Sequence, residues 1–190
     1  IEPFDRLIRA FEWDNRKTRW ATMAELLESC ALSADPVGRL VLMTLDERRD
    51  AEALAQSDAI CTALQLVNHW QDVRRDLLER DRIYIPAEAS VGIPDFETRL
   101  RATAVQGWAP DRDFLEAYRE VIRGLCDHAE GLFDRGAPLV PSLRASSRPV
   151  VGLFEEGGRS LLAKIRGWNF ETCIRRPRLG ATQKFRSEEH

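Results

Sequence analysis

The chain has no uninterrupted apolar run of the ~18 residues that a membrane-spanning helix needs. Its four cysteines (Cys30, Cys61, Cys126 and Cys173) are far apart and form no Cys-x-x-Cys pair. That excludes a readable zinc or redox motif and predicts reduced, buried thiols. Neither sign of charge dominates: 28 Lys and Arg stand against 31 Asp and Glu, so no basic field points to nucleic acid. The three histidines give no Ser-His-Asp or Cys-His constellation that is arguable from one sequence. The Gly157-Gly158 pair follows no strand, so it is not a phosphate loop. Strand alternation, repeats and low-complexity tracts are missing too. No signal-peptide pattern opens the chain, and the expected setting is cytoplasmic.

What is present is one helical pattern after another, and 190 residues suffice for a single all-α domain with a sizeable core. Phe4, Leu7, Ile8 and Phe11 make a short amphipathic start after Pro3. Thr22, with Glu25 three residues on, is a capping box opening a helix over 23–33. Pro36 and Gly38 interrupt that helix, and Val37 to Leu45 resume it. A long helix is expected over 47–80 and a loop over 82–94. Asp95 should cap a helix over 96–105, and Gly107 to Pro110 form a turn. Further helices are expected over 114–133 and 150–170, joined through Pro138, Pro141 and Ser142.

The segment 65–86 carries the chemistry. At ~100° per residue, Gln65, Asn68, Asp72 and Asp76 fall within roughly 60° of one another on a helical wheel. Leu64, Leu66, Val67, Trp70, Val73 and Leu77 cover the rest. Like charges at i and i+4 repel, and desolvated carboxylates need a cation or donors. One reading is that Asp72 and Asp76 pair with Arg75 or Arg74 on a solvated face. The other is an oxygen-only site for Mg²⁺, which takes one or two carboxylates and completes its shell with water and phosphate oxygens. Arg82 and Tyr84 follow directly and are candidates to bind a diphosphate held by the same ion. Asp46 and Asp50 have the same spacing but sit in Asp-Glu-Arg-Arg-Asp, which reads as an exposed helix junction. Cys61 projects near the stripe as a small buried hydrophobe, and Trp70 points away from it into the core. His69 is expected behind the ligands, His128 on a helix surface.

The run Gln-x-x-Asn-x-x-x-Asp-x-x-x-Asp, followed by Arg-x-Tyr-x-Pro, resembles the second aspartate-rich motif of the squalene/phytoene synthase family. Residues 14–22 and Glu25-Leu26-Leu27, the turn at 33–42, and residues 148–158 and 175–179 resemble other family segments. The resemblance implies an isoprenoid-synthase helical bundle. It implies Asp72, Asp76 and Asn68 as Mg²⁺ ligands; Asp72, Asp76 and Tyr84 as catalytic; and Gln65, Asn68, Arg82 and, on the kinked central helix that flanks the prenyl cavity, Arg39 as diphosphate-binding. Gln71, where phytoene and presqualene diphosphate synthases usually carry Arg, and the Asp-Pro-Val-Gly-Arg turn resemble the hydroxysqualene synthase branch of hopanoid biosynthesis. The implied substrate is a prenyl diphosphate, presqualene or farnesyl diphosphate.

Two departures stand out. Asp81 occupies the place of a usual Gly, with one extra residue between Asp76 and Arg82, and the first aspartate-rich motif of the family is not found. The chain therefore reads as the C-terminal part of a synthase. A phytoene or presqualene diphosphate synthase, and a non-catalytic binding or assembly factor, remain as alternatives. The tail residues Lys164, Arg166, Arg175, Arg176, Arg178, Lys184 and Arg186 are a candidate surface for peripheral contact with the inner membrane face. A solvated basic tail balanced by Glu171, Glu188 and Glu189 is the alternative.

Overall fold

The computed structural model describes residues 2–14 and 16–178; residue 15 and the stretch 179–190, with Lys184, Arg186, Glu188, Glu189 and His190 of the basic tail, lie outside it. Among the described residues the secondary structure is helical, with a single β-bridge between Arg19 and Ile83. The helices are α1 (Glu2–Asp14), α2 (Met23–Ser33), α3 (Asp35–Thr44), α4 (Ala51–Gln71), α5 (Val73–Arg80), α6 (Phe96–Gln106), α7 (Arg112–Gly136), α8 (Leu139–Ser142) and α9 (Arg148–Gly167), with a 3₁₀ turn at Ala87–Ser90.

Local chemistry explains most boundaries. The Thr22 side chain accepts from the Glu25 N–H (3.2 Å), as a capping box requires. The Glu25 carboxylate returns to the Ala21 N–H (2.6 Å), one residue earlier than the ideal box. Asp50 caps α4 through the Ala53 N–H (3.0 Å), and Asp111 caps α7 through the Phe114 N–H (3.0 Å). Asp95 precedes α6 in the left-handed region (φ 52°), and its side chain makes no cap. Pro36 fits the first turn of α3, where its missing N–H is not needed, so the helix begins at Asp35.

The long helix expected over 47–80 is two helices. The chain turns at Asp46 (φ 53°), α4 starts only after the Asp50 cap, and the α-helical pattern breaks at Asp72 (φ −100°, ψ 10°). α4 is the hub, touching α2, α3, α7, α8 and α9. Gly136 lets α7 approach it: a Cβ there would lie 2.9 Å from the Gln56 carbonyl oxygen and collide with Ile60. Gly38 does the same for α3, where a Cβ would strike Cys61 Sγ and Ser57 Oγ. Trp70, Phe114, Tyr118 and Phe133 are fully buried around this hub, each contributing about 1.5–3 kcal/mol of apolar burial. The four thiols are unbridged, and burial pushes each of them up to about 12. No described helix is long and apolar enough to cross a membrane.

Candidate functional site

Gln65, Asn68, Asp72 and Asp76 all face one polar cavity of about 340 Å³. The break at Asp72 does not scatter them. The Asp72 N–H donates to the Asn68 carbonyl (3.0 Å) and the Asp76 N–H to the Asp72 carbonyl (2.8 Å), so the four-residue spacing is kept. α1 and α2 close the opposite side with Leu7, Asp14 and Ser29.

Both carboxylates are nearly removed from solvent, each side chain being 6% exposed. Arg75 Nη2 lies 2.6 Å from Asp72 Oδ2 and 3.3 Å from Asp76 Oδ1. Arg74 turns elsewhere and bonds the Ala104 carbonyl (2.8 Å). The Arg176 guanidinium also engages Asp72, with Nε on Oδ1 and Nη2 3.3 Å from Oδ2. Even so, burial pushes the Asp76 carboxyl above the usual carboxylate range, outweighing the opposing charge of Arg75. Arg75 and the more distant Arg80 (4.0 Å) do not offset that cost of burial. The donors are all oxygen, which suits Mg²⁺. No group of three or more His, Cys, Asp or Glu able to hold a metal occurs among the described residues. An ion at this stripe therefore depends on water or substrate oxygens for the rest of its shell.

The segment after α5 brings in the other two groups. Asp81 ends α5 in the left-handed region (φ 52°), and the Arg82 N–H closes back on the Asp76 carbonyl (3.0 Å). Asp is one of the few residues besides Gly that adopts this conformation readily. Here its carboxylate also binds Arg19 (3.0 Å) and Arg101, two contacts that Gly could not make. The chain then runs along residues 18–21, the Ile83, Ala87 and Glu88 N–H groups bonding the Thr18, Trp20 and Ala21 carbonyls at 3.0, 2.9 and 3.0 Å. That pairing aims Arg82 and Tyr84 into the cavity despite the extra residue. Arg82 Nη1 lies 2.7 Å from Asp14 Oδ2 and 3.5 Å from the Tyr84 hydroxyl.

Tyr84 is stacked between Trp20 and His69, at centroid distances of 4.4 and 3.6 Å. Burial, followed by the charge of Arg82, pushes His69 down to about 3, so it is a neutral platform at pH 7. Burial raises the Tyr84 phenol, which keeps its proton as a donor. Arg39, expected near the diphosphate, is not among the residues lining this cavity: its guanidinium is spent on Asp58 (3.0 and 2.6 Å) across the α3–α4 contact. Trp70 is fully buried, and His128 is half-buried rather than on the surface. Sequence reasoning placed Arg176 in a basic tail. No local pattern foretells a contact with Asp72, 104 positions earlier.

A second cavity, about 210 Å³ and apolar, lies between α3, α4 and α9. Val37, Val41, Leu42, Ile60, Leu64 and Phe154 are among its walls. Ser33 and Gln65 line both spaces, so the polar and apolar cavities are neighbours.

The sequence model of the squalene/phytoene synthase family matches residues 1–183. A hydroxysqualene synthase of Sinorhizobium fredii is 31% identical over 138 residues, covering 73% of this chain and 44% of that enzyme. A phytoene synthase of Thermus thermophilus is 29% identical over 184 residues, 97% of this chain and 59% of that protein. The crystal structure of the squalene synthase HpnC from Alicyclobacillus acidocaldarius superposes with a TM-score of 0.79 at 38% identity, covering 89% of this chain and 60% of that one. The chain thus spans about half the length of the curated relatives it matches. The match along nearly its whole length, on an all-α bundle that converges an amide–carboxylate stripe with Arg82 and Tyr84, makes the chain a member of the squalene/phytoene synthase family.

Proposed function

We propose that this chain carries the diphosphate-ionising site of a Mg²⁺-dependent synthase that converts presqualene diphosphate to hydroxysqualene. The observation that carries this reading is that Ser33 and Gln65 line both a charged cavity and a neighbouring apolar one. A prenyl diphosphate has the same two-part character. Together the two spaces fall in the range of about 300–1,000 Å³ that suits small-molecule sites.

Asp72, Asp76 and Asn68 would hold Mg²⁺, which when bound supplies Lewis-acid neutralisation of the diphosphate leaving group. Arg82 and Tyr84 donate charge-assisted and neutral hydrogen bonds to the same group, with Gln65 at the boundary. Stacking on Trp20 and His69 fixes the Tyr84 ring, so its hydroxyl needs no reorganisation. The walls from α3, α4 and α9 keep water from the prenyl cation until it is trapped. The reading places the protein in the cytoplasm, with peripheral contact at the inner membrane face suited to a water-insoluble product.

A phytoene or presqualene diphosphate synthase is the second reading, favoured by the match to the Thermus enzyme over 97% of the chain. Gln71, where those enzymes usually carry Arg, counts against it. Separate incubations with presqualene and farnesyl diphosphate, each with Mg²⁺, test the choice by pyrophosphate release. Release from presqualene diphosphate with hydroxysqualene as product supports the first reading. Release from farnesyl diphosphate alone replaces it with the second. No release, together with no Mg²⁺-dependent pyrophosphate binding, sinks both and leaves a non-catalytic binding or assembly factor.

A further inference from the structure

Gln71 is the last residue of α4 and only 6% exposed, yet it does not line the polar cavity beside its neighbour Asp72. Its side chain turns to the segment that follows α9. Gln71 Nε2 donates to the Pro177 carbonyl (2.6 Å), and Gln71 Oε1 accepts from Arg176 Nη2 (3.3 Å). The same Arg176 guanidinium lies on Asp72. Upstream, the segment is anchored where the Arg74 N–H meets the Thr172 carbonyl (3.3 Å) and the Tyr118 hydroxyl meets Thr172 Oγ1 (2.7 Å). Arg175 adds a stack on Trp168, 4.4 Å from the ring centroid. Residues 172–177 thus form a strap across the α4–α5 break, tied at Thr172 and at Gln71.

The type of residue at position 71 matters. A neutral amide offers one donor and one acceptor, which satisfies a carbonyl and a guanidinium together. Leu would leave the Pro177 carbonyl without its donor. Arg would put a second cation beside Arg176 and press it off Asp72. Asp72 meanwhile accepts from Arg75 and Arg176 on its two oxygens, in competition with any metal ion. An incoming cation competes with the guanidinium for those oxygens, and an incoming diphosphate gives that guanidinium a new anion.

We infer that Gln71 is a positioning residue, which latches the strap over the α4–α5 break and so holds Arg176 on Asp72 as the counter-ion that metal and diphosphate displace. This rests on the metal–diphosphate reading of the stripe. Gln71 acts through Arg176 and touches no substrate itself.

The test uses the full chain, Mn²⁺ as the metal probe and inorganic pyrophosphate as the anion probe. Gln71→Leu leaves the formal charge unchanged. It should raise amide exchange across residues 172–178 by about tenfold, as expected for losing a buried hydrogen bond. It should also tighten binding of Mn²⁺ alone several-fold, because the competing guanidinium is loosened. Arg176→Gln should leave exchange over 172–175 unchanged, tighten Mn²⁺ alone, and weaken pyrophosphate binding in the presence of Mn²⁺. Gln71→Leu with exchange and Mn²⁺ affinity both within twofold of the parent would overturn the latch. An unchanged Mn²⁺ affinity in Arg176→Gln, a variant at a partly exposed position, would overturn the counter-ion role even if Gln71→Leu fails to fold. If the parent chain binds neither Mn²⁺ nor its pyrophosphate complex, the metal reading of the stripe falls, and the exchange measurement alone decides the latch.

Discussion

Asp46 and Asp50 share the four-residue spacing of Asp72 and Asp76, but the surroundings give the two pairs opposite properties. The Asp46 and Asp50 side chains are 88% and 50% exposed, against 6% for each of the other two. Asp46 forms the turn before α4, and Asp50 caps that helix. The hydrogen bond from Arg48, then the Ala53 N–H, hold the Asp50 carboxyl down at about 2. Asp76, by contrast, is pushed up by burial. A carboxylate already satisfied by water, a cap and a surface arginine has no call for a metal ion. One that is desolvated depends on the cations packed around it, here Arg75 and Arg176. Spacing nominates a pair of acids, and burial decides what the pair is for.

The comparison breaks most visibly with Asp72→Asn or Asp76→Asn. Either change should cut Mn²⁺ affinity by about 100-fold in a titration and, if the proposed function holds, lower turnover of presqualene diphosphate by a similar factor. Asp46→Asn should leave both within about twofold, in line with surface substitutions generally. Comparable losses from the two pairs would show that burial is not what separates them. Tyr84→Phe, which keeps the stack and removes the hydroxyl, should reduce turnover by about tenfold, the effect of one hydrogen bond. Circular dichroism should show the fold intact.

Asp35 sharpens the contrast as a third buried acid that lines neither cavity. It is 6% exposed, accepts from Thr62 Oγ1 (2.8 Å), and is pushed up from 3.8 to about 6, chiefly by burial and then by Asp58. The folded state therefore holds a proton that the unfolded state has already lost between those two pH values. This contribution is fully present below about pH 4 and is lost as pH rises through 6. Asp35→Asn should flatten the fall in Tm between pH 4 and 6.5, measured by differential scanning calorimetry; an unchanged slope would refute the assignment. The smallest effect belongs to Asp50→Ala, which should lower Tm by a few degrees through loss of the α4 cap and leave pyrophosphate binding unaltered.

Much of this was readable locally. The Gln65–Asp76 stripe follows from helical periodicity, and the Thr22 cap from a four-residue pattern, because both depend on neighbours within one turn. The break at Asp72 escaped that reading, since the side-chain spacing survives it. Asp95 looked like a cap, but a left-handed backbone turns its side chain away from the first N–H groups. Arg39 lies on the helix that resumes after Pro36, as expected, and only its distance to Asp58, 19 positions on, reveals that its charge is already committed.

The amino-acid sequence alone determined the all-α class, the identity of the oxygen donors and the basic-aromatic exit at Arg82 and Tyr84, since residue type and i, i+4 order are local properties. Tertiary structure decided which cations reach those donors and where the apolar space lies. Arg75 rather than Arg74 turns to the carboxylates, Arg176 arrives from the strap, and Ser33 and Gln65 line both cavities. Each depends on the path of the chain through space, because desolvation and charge pairing are set by whatever packs alongside, however distant in sequence.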